Sequence, residues 1–191
     1  MLSISPAGFD ADGKPVRYGG YYSQDEVRAI VAYAAARYIT VVPEIDLPGH
    51  AQAAIAAYPA LGVVPAAAPS HDWGINDYVF NADEATFRFL GDVLDEVVVL
   101  FPSRFVHIGG DEVVTAQWAA SPQVRARMAA LGVADVSKLQ AVFTARMQAH
   151  LAAKGRRIIG WDEILHAPLP GDAAVMSWQG VKGAELAATS G

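Results

Sequence analysis

Two adjacent carboxylates directly after an apolar strand are the sharpest chemical feature of this sequence. His107 and Ile108 are followed by two glycines and then by Asp111 and Glu112. Two acids that face one pocket repel each other, so the pKa of one can rise until it serves as a general acid while the other stays ionised. Cleavage of a glycosidic bond needs such a pair. An acidic first turn of a helix is an equally weighted interpretation, because Asp and Glu are favoured there.

A second run presents titratable side chains on a loop that two prolines and a glycine restrain. Glu44, Asp46 and His50 lie in this run, and a rigid loop that presents acids and an imidazole suits a functional site. A lone histidine is more often a cap or a core residue. A metal-dependent hydrolase or lyase is an open alternative, although no His-Glu-x-x-His spacing supports it; its ligands would be His50, His107, Asp111 and Glu112.

Two tryptophans, Trp161 and Trp178, each come directly after a short apolar run. Their flat faces could stack on the apolar face of a pyranose ring. A single tryptophan more often fills a core, but two at equivalent strand ends favour a binding site. Glu163 is either a supporting acid of that site or the first turn of a helix.

Four helix-then-strand units are predicted to position these residues. Strands are predicted over residues 38–42, 104–108, 156–160 and 173–177, and uncharged, β-branched runs of this kind indicate burial on both faces. The helices are predicted to start at Ser23, which forms a capping box with Glu26, and to span 83–100, 137–154 and 181–188. This alternation predicts an α/β fold built of right-handed parallel units.

The polar and aromatic residues follow the strands, where an α/β barrel keeps its active site. No glycine-rich nucleotide-binding motif favours an open, doubly wound sheet instead. Four strands make half of a barrel, which takes about 250 residues when complete. We therefore interpret the chain as part of a (β/α)8 TIM barrel, with residues 1–20 as a loop or linker leading into it.

Composition excludes several other classes of function. The 191 residues carry a net charge of −6 with no basic stripe, which argues against nucleic-acid binding. No apolar stretch approaches the roughly 18 residues of a membrane span, and the first ten residues do not resemble a signal peptide. The absence of cysteine excludes disulfides, thiolate nucleophiles and Cys-ligated metals. A globular domain that acts on an uncharged or weakly charged substrate fits best.

Taken in order, the motifs resemble those of the family 20 glycoside hydrolases, the β-N-acetylhexosaminidases. They are Gly-Gly-Tyr-Tyr-Ser (19–23), Val-Pro-Glu-Ile-Asp-Leu-Pro-Gly-His (42–50), His-Ile-Gly-Gly-Asp-Glu (107–112), Ile-Gly-Trp-Asp-Glu (159–163) and Ser-Trp-Gln-Gly (177–180). The resemblance implies a partial catalytic domain over residues 1–191 that supplies about strands three to six of the barrel. It implies hydrolysis of terminal non-reducing N-acetyl-β-D-hexosamine residues, GlcNAc or GalNAc, with retention of configuration and without a cofactor or metal.

The resemblance also assigns roles to residues. The nucleophile in this family is the 2-acetamido oxygen of the substrate, which forms an oxazolinium intermediate. Glu112 would then be the general acid, and Asp111 would orient the acetamido group. Asp46 and His50 match positions that support the acid, and Trp161 and Trp178 match walls of the pocket around the acetamido methyl and the sugar ring. His107 and Glu163 are further candidates for supporting residues, without a role from the resemblance.

Part of the family pattern has no counterpart in this sequence. Nothing before Gly19 resembles the first barrel strands, which carry an arginine that grips the sugar, and the tyrosine and tryptophan of the last strands are missing. An inactive barrel fragment or scaffold is therefore a second hypothesis. The sequence leaves oligomeric state and linkage preference open, and a periplasmic or secreted location is a guess that concerns a full-length protein.

Overall fold

In the computed structural model, which describes residues 5–18, 20–66, 68–70, 73–169 and 172–189, a β-hairpin stands where a loop was predicted. Strand β1 (Ser5–Phe9) pairs antiparallel with β2 (Pro15–Tyr18). The Asp and Gly residues that indicated a loop form its turn, because the Asp10 carboxylate accepts backbone N–H bonds from Asp12 and Lys14 and Gly13 adopts φ 74°. The loop prediction is thus wrong for residues 5–18, and residues 1–4 and 19 lie outside the described residues.

Parallel strands form the second sheet among the described residues. Strand β3 (Phe105–His107) pairs with β4 (Arg157–Trp161), which pairs with β5 (Ala174–Met176). On the other side of β3, an isolated parallel bridge joins Glu44 to His107. Four parallel segments therefore lie side by side in chain order, which is the arrangement of neighbouring barrel strands.

The first of these segments pairs later along the chain than predicted. Tyr38 has φ 60°, is fully exposed and belongs to the turn that follows the first helix. The ladder with β3 begins only at Pro43, whose carbonyl accepts the His107 N–H at 2.9 Å. The prediction of a strand over residues 38–42 is therefore wrong. β-Branched composition indicates a strand, but the hydrogen-bonding partner decides where it lies.

Seven helices are assigned among the described residues. They are α1 (Gln24–Ala35), α2 (Gln52–Ala57), α3 (Glu84–Leu100), α4 (Ala116–Ala120), α5 (Pro122–Ala130), α6 (Leu139–Ala152) and α7 (Val181–Thr189). The predicted capping box of Ser23 and Glu26 is confirmed at α1. Before α6, however, the capping side chain is that of Asp135, which accepts the Ser137 N–H and starts a 3-10 turn over Val136–Lys138.

The core lies between the parallel strands and the long helices α3 and α6. On α3, the side chains of Phe87, Leu90 and Leu94 lie on one face of the helix and are buried. Phe87 packs against Phe143 of α6 with ring centroids 4.8 Å apart. Full burial of one such side chain contributes about 1.5–3 kcal/mol, so this contact fixes the two helices against the sheet. No helix among the described residues has both the length and the apolar character to cross a membrane.

Candidate active site

The carboxyl ends of the four parallel segments meet at one edge, and the predicted site residues gather there. Asp46 and His50 follow the first segment, Asp111 and Glu112 follow β3, and Trp161 ends β4. Glu163 lies in a 3-10 turn (Asp162–His166) after β4, and Trp178 follows β5. Parallel strands bring residues distant in sequence to one edge in this way, which produces the cleft used by α/β enzymes.

His50 joins the two adjacent carboxylates. Its Nε2 lies 3.4 Å from Oδ2 of Asp111 and 3.4 Å from Oε2 of Glu112. All three side chains are partly buried, with exposed fractions of 27%, 19% and 30%. One imidazole nitrogen therefore lies near both carboxylates, although at 3.4 Å it makes a hydrogen bond to neither.

The backbone at this cluster is strained. His50 has φ 48° and Glu112 has φ 52°, in the left-handed region that non-glycine residues seldom occupy. Such a conformation costs on the order of 1–3 kcal/mol and persists only where surrounding structure enforces it. The surrounding structure thus enforces the backbone conformation of both residues.

Asp46 supports the loop that carries the acid pair. Its Oδ1 accepts the backbone N–H of Gly110 at 3.1 Å. The pKa of Asp46 is raised to about 7, chiefly by burial and to a smaller extent by the carboxylates of Asp111 and Glu44, while the Gly110 hydrogen bond and His50 oppose the shift. At neutral pH this side chain is therefore close to half protonated, beside the two acids of the site.

Gly109 is required next to Asp46. It has φ 65°, and a Cβ at this position would overlap the Asp46 carboxylate and lie 2.8 Å from the Asp46 Cα. A glycine is thus the residue that allows both the left-handed turn and the close approach of the two segments.

His107 ends β3 and contacts Gly109 and Glu44 instead of the acid pair. It is buried, and its Nδ1 lies 3.0 Å from the Gly109 nitrogen and 3.2 Å from Oε1 of Glu44. Burial lowers the pKa of His107, and the nearby carboxylates of Glu44 and Asp111 oppose that shift. A neutral imidazole is therefore favoured, which suits a supporting residue better than a proton donor to the cleft.

The two tryptophans lie close together at the carboxyl ends of β4 and β5. Their ring centroids lie 6.4 Å apart in an edge-on arrangement. The indole N–H of Trp161 donates to Oε1 of Glu44 at 3.1 Å, and that of Trp178 donates to Oε2 of Glu163 at 3.1 Å. Each indole is thus held by a carboxylate from another segment of the chain.

Glu44 belongs to the loop that the sequence indicates as a candidate site, but neither the sequence nor the resemblance gave it a specific role. The sequence did carry a signal for Glu44, because residues two apart in an extended segment lie on the same face, as Glu44 and Asp46 do.

The ligand set of the alternative metal site differs from the predicted one. Among the described residues, the ligand atoms of Asp46, His50 and Asp111 lie within 4.8 Å of one another, and neither His107 nor Glu112 belongs to that group.

Comparisons with known proteins place these features in a family context. Residues 6–191 match the catalytic domain of glycosyl hydrolase family 20. The chain is 45% identical over 179 residues to a beta-hexosaminidase of Porphyromonas gingivalis and 42% identical over 167 residues to one of Vibrio furnissii. These alignments cover 93% and 85% of the chain, but only 23% and 27% of those relatives. The chain thus spans about a quarter of their length.

Solved structures give the same result. A beta-N-acetylhexosaminidase from Bacteroides fragilis aligns with a TM-score of 0.77 and 38% identity. The alignment covers 93% of this chain and 36% of the Bacteroides fragilis chain. A GH20 exo beta-N-acetylglucosaminidase from Vibrio harveyi, solved in complex with N-acetylglucosamine, aligns with a TM-score of 0.80 and 36% identity. That alignment covers 93% of this chain and 28% of the Vibrio harveyi chain. These neighbours are (β/α)8 barrels, so the four parallel segments are part of such a barrel and the predicted fold class is confirmed.

Proposed function

Because the chain belongs to glycosyl hydrolase family 20 as part of its catalytic domain, we propose that it supplies the acid pair of a β-N-acetylhexosaminidase. The substrate is a terminal non-reducing N-acetyl-β-D-hexosamine on an oligosaccharide or glycoconjugate, and hydrolysis retains the anomeric configuration. The observation that carries this proposal is the adjacent pair Asp111 and Glu112, with Nε2 of His50 at 3.4 Å from a carboxylate oxygen of each.

In the first step, the acetamido oxygen of the substrate attacks the anomeric carbon while the bond to the leaving oxygen breaks. Glu112 donates its proton to that oxygen. In the second step, water adds to the anomeric carbon of the oxazolinium, the ring opens to restore the acetamide, and Glu112 takes the proton of the water. The enzyme returns to its starting protonation state and no covalent adduct with the protein forms.

Asp111 acts on the other end of the reacting group. As a carboxylate it accepts the acetamido N–H, which orients the oxygen toward the anomeric carbon and balances the positive charge that develops on the oxazolinium. Adjacency explains how both acids reach one substrate, because consecutive side chains point in different directions. His50 and Asp46 position the pair, and Trp161 and Trp178 are proposed as pocket walls around the acetamido methyl and the sugar ring.

Substitution of Glu112 tests its role as the acid. We expect Glu112→Gln to reduce kcat/KM for chitobiose by about 10²–10⁴-fold, the usual contribution of a general acid. An aryl N-acetyl-β-glucosaminide with a good leaving group should lose much less, because its leaving oxygen needs little protonation. Asp111→Asn is the matched variant, and it should reduce both reactions alike and weaken binding of an oxazoline-mimicking thiazoline inhibitor. Equal losses for both substrates in Glu112→Gln would refute the assignment.

The length of chain needed for activity is a separate question. The comparison is between the 191-residue chain and an extended chain, defined here as this sequence together with the remaining strands of the barrel. We expect thiazoline-sensitive hydrolysis only in the extended chain. Activity of the 191-residue chain alone would contradict this expectation and show that the site is complete without further strands, or is completed by a second copy. Lack of activity in the extended chain would refute the proposed function.

A further inference from the structure

Glu44 connects the first parallel segment to Trp161, which lies at the end of β4 on the far side of β3. Its Oε1 accepts the indole N–H of Trp161 at 3.1 Å, although the two residues are 117 positions apart in the sequence. The Glu44 side chain is 44% exposed, so the ordering of its carboxylate beside the indole is not a consequence of complete burial. The contact therefore depends on a specific polar interaction across β3.

The buried imidazole of His107 completes the support of this indole. The ring centroids of His107 and Trp161 lie 4.8 Å apart, and Nδ1 of His107 lies 3.2 Å from the same Glu44 oxygen. The indole is thus restrained by a ring contact and by a hydrogen bond at its N–H. A side chain held in two ways keeps one rotamer, whereas loss of the hydrogen bond would leave the indole free to reorient toward the cleft.

We propose that Glu44 is a positioning residue that fixes the orientation of Trp161 and thereby determines which N-acyl groups the pocket accepts. The inference rests on the proposed function, in which Trp161 forms a wall around the acetamido methyl. A fixed indole closes that wall, so the pocket fits an acetyl group and excludes a longer acyl chain. An indole released from Glu44 leaves a wider pocket that discriminates poorly.

The test compares acyl selectivity in variants of the extended chain. The substrates are an aryl β-glucosaminide with a 2-acetamido group and its 2-butyramido analogue. We expect Glu44→Ala to reduce the ratio of kcat/KM between acetyl and butyryl substrates about tenfold, the scale of one hydrogen bond to a charged group. The loss should appear mainly as a higher KM for the acetyl substrate. Glu44→Gln should restore most of the ratio, because its amide oxygen still accepts the indole N–H.

Two control variants separate positioning from a general loss of stability. Glu96→Ala removes an exposed carboxylate of α3 and should leave the ratio unchanged. Trp161→Phe lacks the N–H, so addition of Glu44→Ala to it should change the ratio no further. A Glu44→Ala variant that loses both substrates equally, or a double variant with additive effects, would overturn the inference.

A measurement of the Trp161 environment that does not depend on hydrolysis distinguishes failure of this inference from failure of the proposed function. The chain has four tryptophans, and fluorotryptophan labelling followed by fluorine NMR identifies the signal of Trp161 as the one missing in Trp161→Phe. We expect Glu44→Ala to shift that signal and leave the buried Trp118 signal in place. An unmoved Trp161 signal would refute the positioning role. A moved signal in Glu44→Ala, together with an unsubstituted extended chain that hydrolyses neither substrate, would refute the proposed function alone.

Discussion

Substitution of Gly109 by alanine should disrupt the candidate site through one identifiable contact. A left-handed conformation costs an alanine about 1–2 kcal/mol, and Gly109 has φ 65°. The added Cβ would also overlap the Asp46 carboxylate and lie 2.8 Å from the Asp46 Cα, and overpacking of this kind costs about 1–3 kcal/mol. Displacement of Asp46 would leave the Gly110 N–H without its acceptor, at about 1–3 kcal/mol. The sum is a loss of roughly 3–8 kcal/mol in the free energy of unfolding.

Gly155 is the matched control for backbone strain. It has φ 70°, and a Cβ built there meets no atom within 4 Å. Gly155→Ala should therefore cost only the about 1–2 kcal/mol of the left-handed conformation. Denaturant midpoints of the two variants in the extended chain, measured with unchanged slopes, give the difference directly. We expect Gly109→Ala to be less stable than Gly155→Ala by at least about 2 kcal/mol, and to lose activity that Gly155→Ala retains.

If Gly109→Ala does not fold, a double variant tests the same contact. A second substitution, Asp46→Ala, removes the carboxylate that the new Cβ would overlap, so the double variant should be more stable than Gly109→Ala alone. Equal midpoints for Gly109→Ala and Gly155→Ala would refute the contact argument, and so would a double variant that is less stable than Gly109→Ala.

The other predictions concern pH and metal ions. Because the pKa of Asp46 is raised to about 7, the folded chain binds this proton more tightly than the unfolded chain, whose Asp has a pKa near 3.9. The free energy of unfolding should fall as pH rises from about 4 to about 7, by at most about 4 kcal/mol. In urea titrations at several pH values, Asp46→Asn should weaken this pH dependence of the free energy of unfolding. An unchanged pH dependence would contradict the raised pKa of Asp46. Hydrolysis by the extended chain should survive dialysis against EDTA; a loss restored by zinc or magnesium would favour the metal-dependent alternative and its group of Asp46, His50 and Asp111.

Helix starts and the alternation of elements could be predicted because their signals are local. Ser23 and Glu26 lie three positions apart and form the capping box that the sequence indicates. The end of α6 is marked by Gly155 in the same local manner, with φ 70°. The short helices α4 and α5 were not predicted. The strand after α1 was misplaced, because its bounds depend on hydrogen bonds to β3, which lies more than 60 positions further along the chain.

For the candidate site, residue types could be predicted, but contacts across strands could not. The adjacency of Asp111 and Glu112 is visible in the sequence, and the resemblance supplied their roles. The 3.4 Å approach of His50 to both acids and the bond from Trp161 to Glu44 depend on how far neighbouring segments are offset. Sequence patterns give the face of a strand and not the offset between strands, which is why the contact between Glu44 and Trp161 could not be predicted.

The backbone after β3 shows how a strand end can present two neighbouring acids differently. Gly109, Gly110 and Glu112 have φ of 65°, 98° and 52°, so three of four consecutive residues have positive φ. The glycines adopt this conformation without a Cβ penalty, but Glu112 does so at a cost of about 1–2 kcal/mol. A glycine at position 112 would relieve that strain and would lack the carboxylate. Because local strain of this kind persists where surrounding structure enforces it, we attribute the conformation of Glu112 to the hydrogen bond of Asp46 with Gly110 and the approach of His50 to both acids.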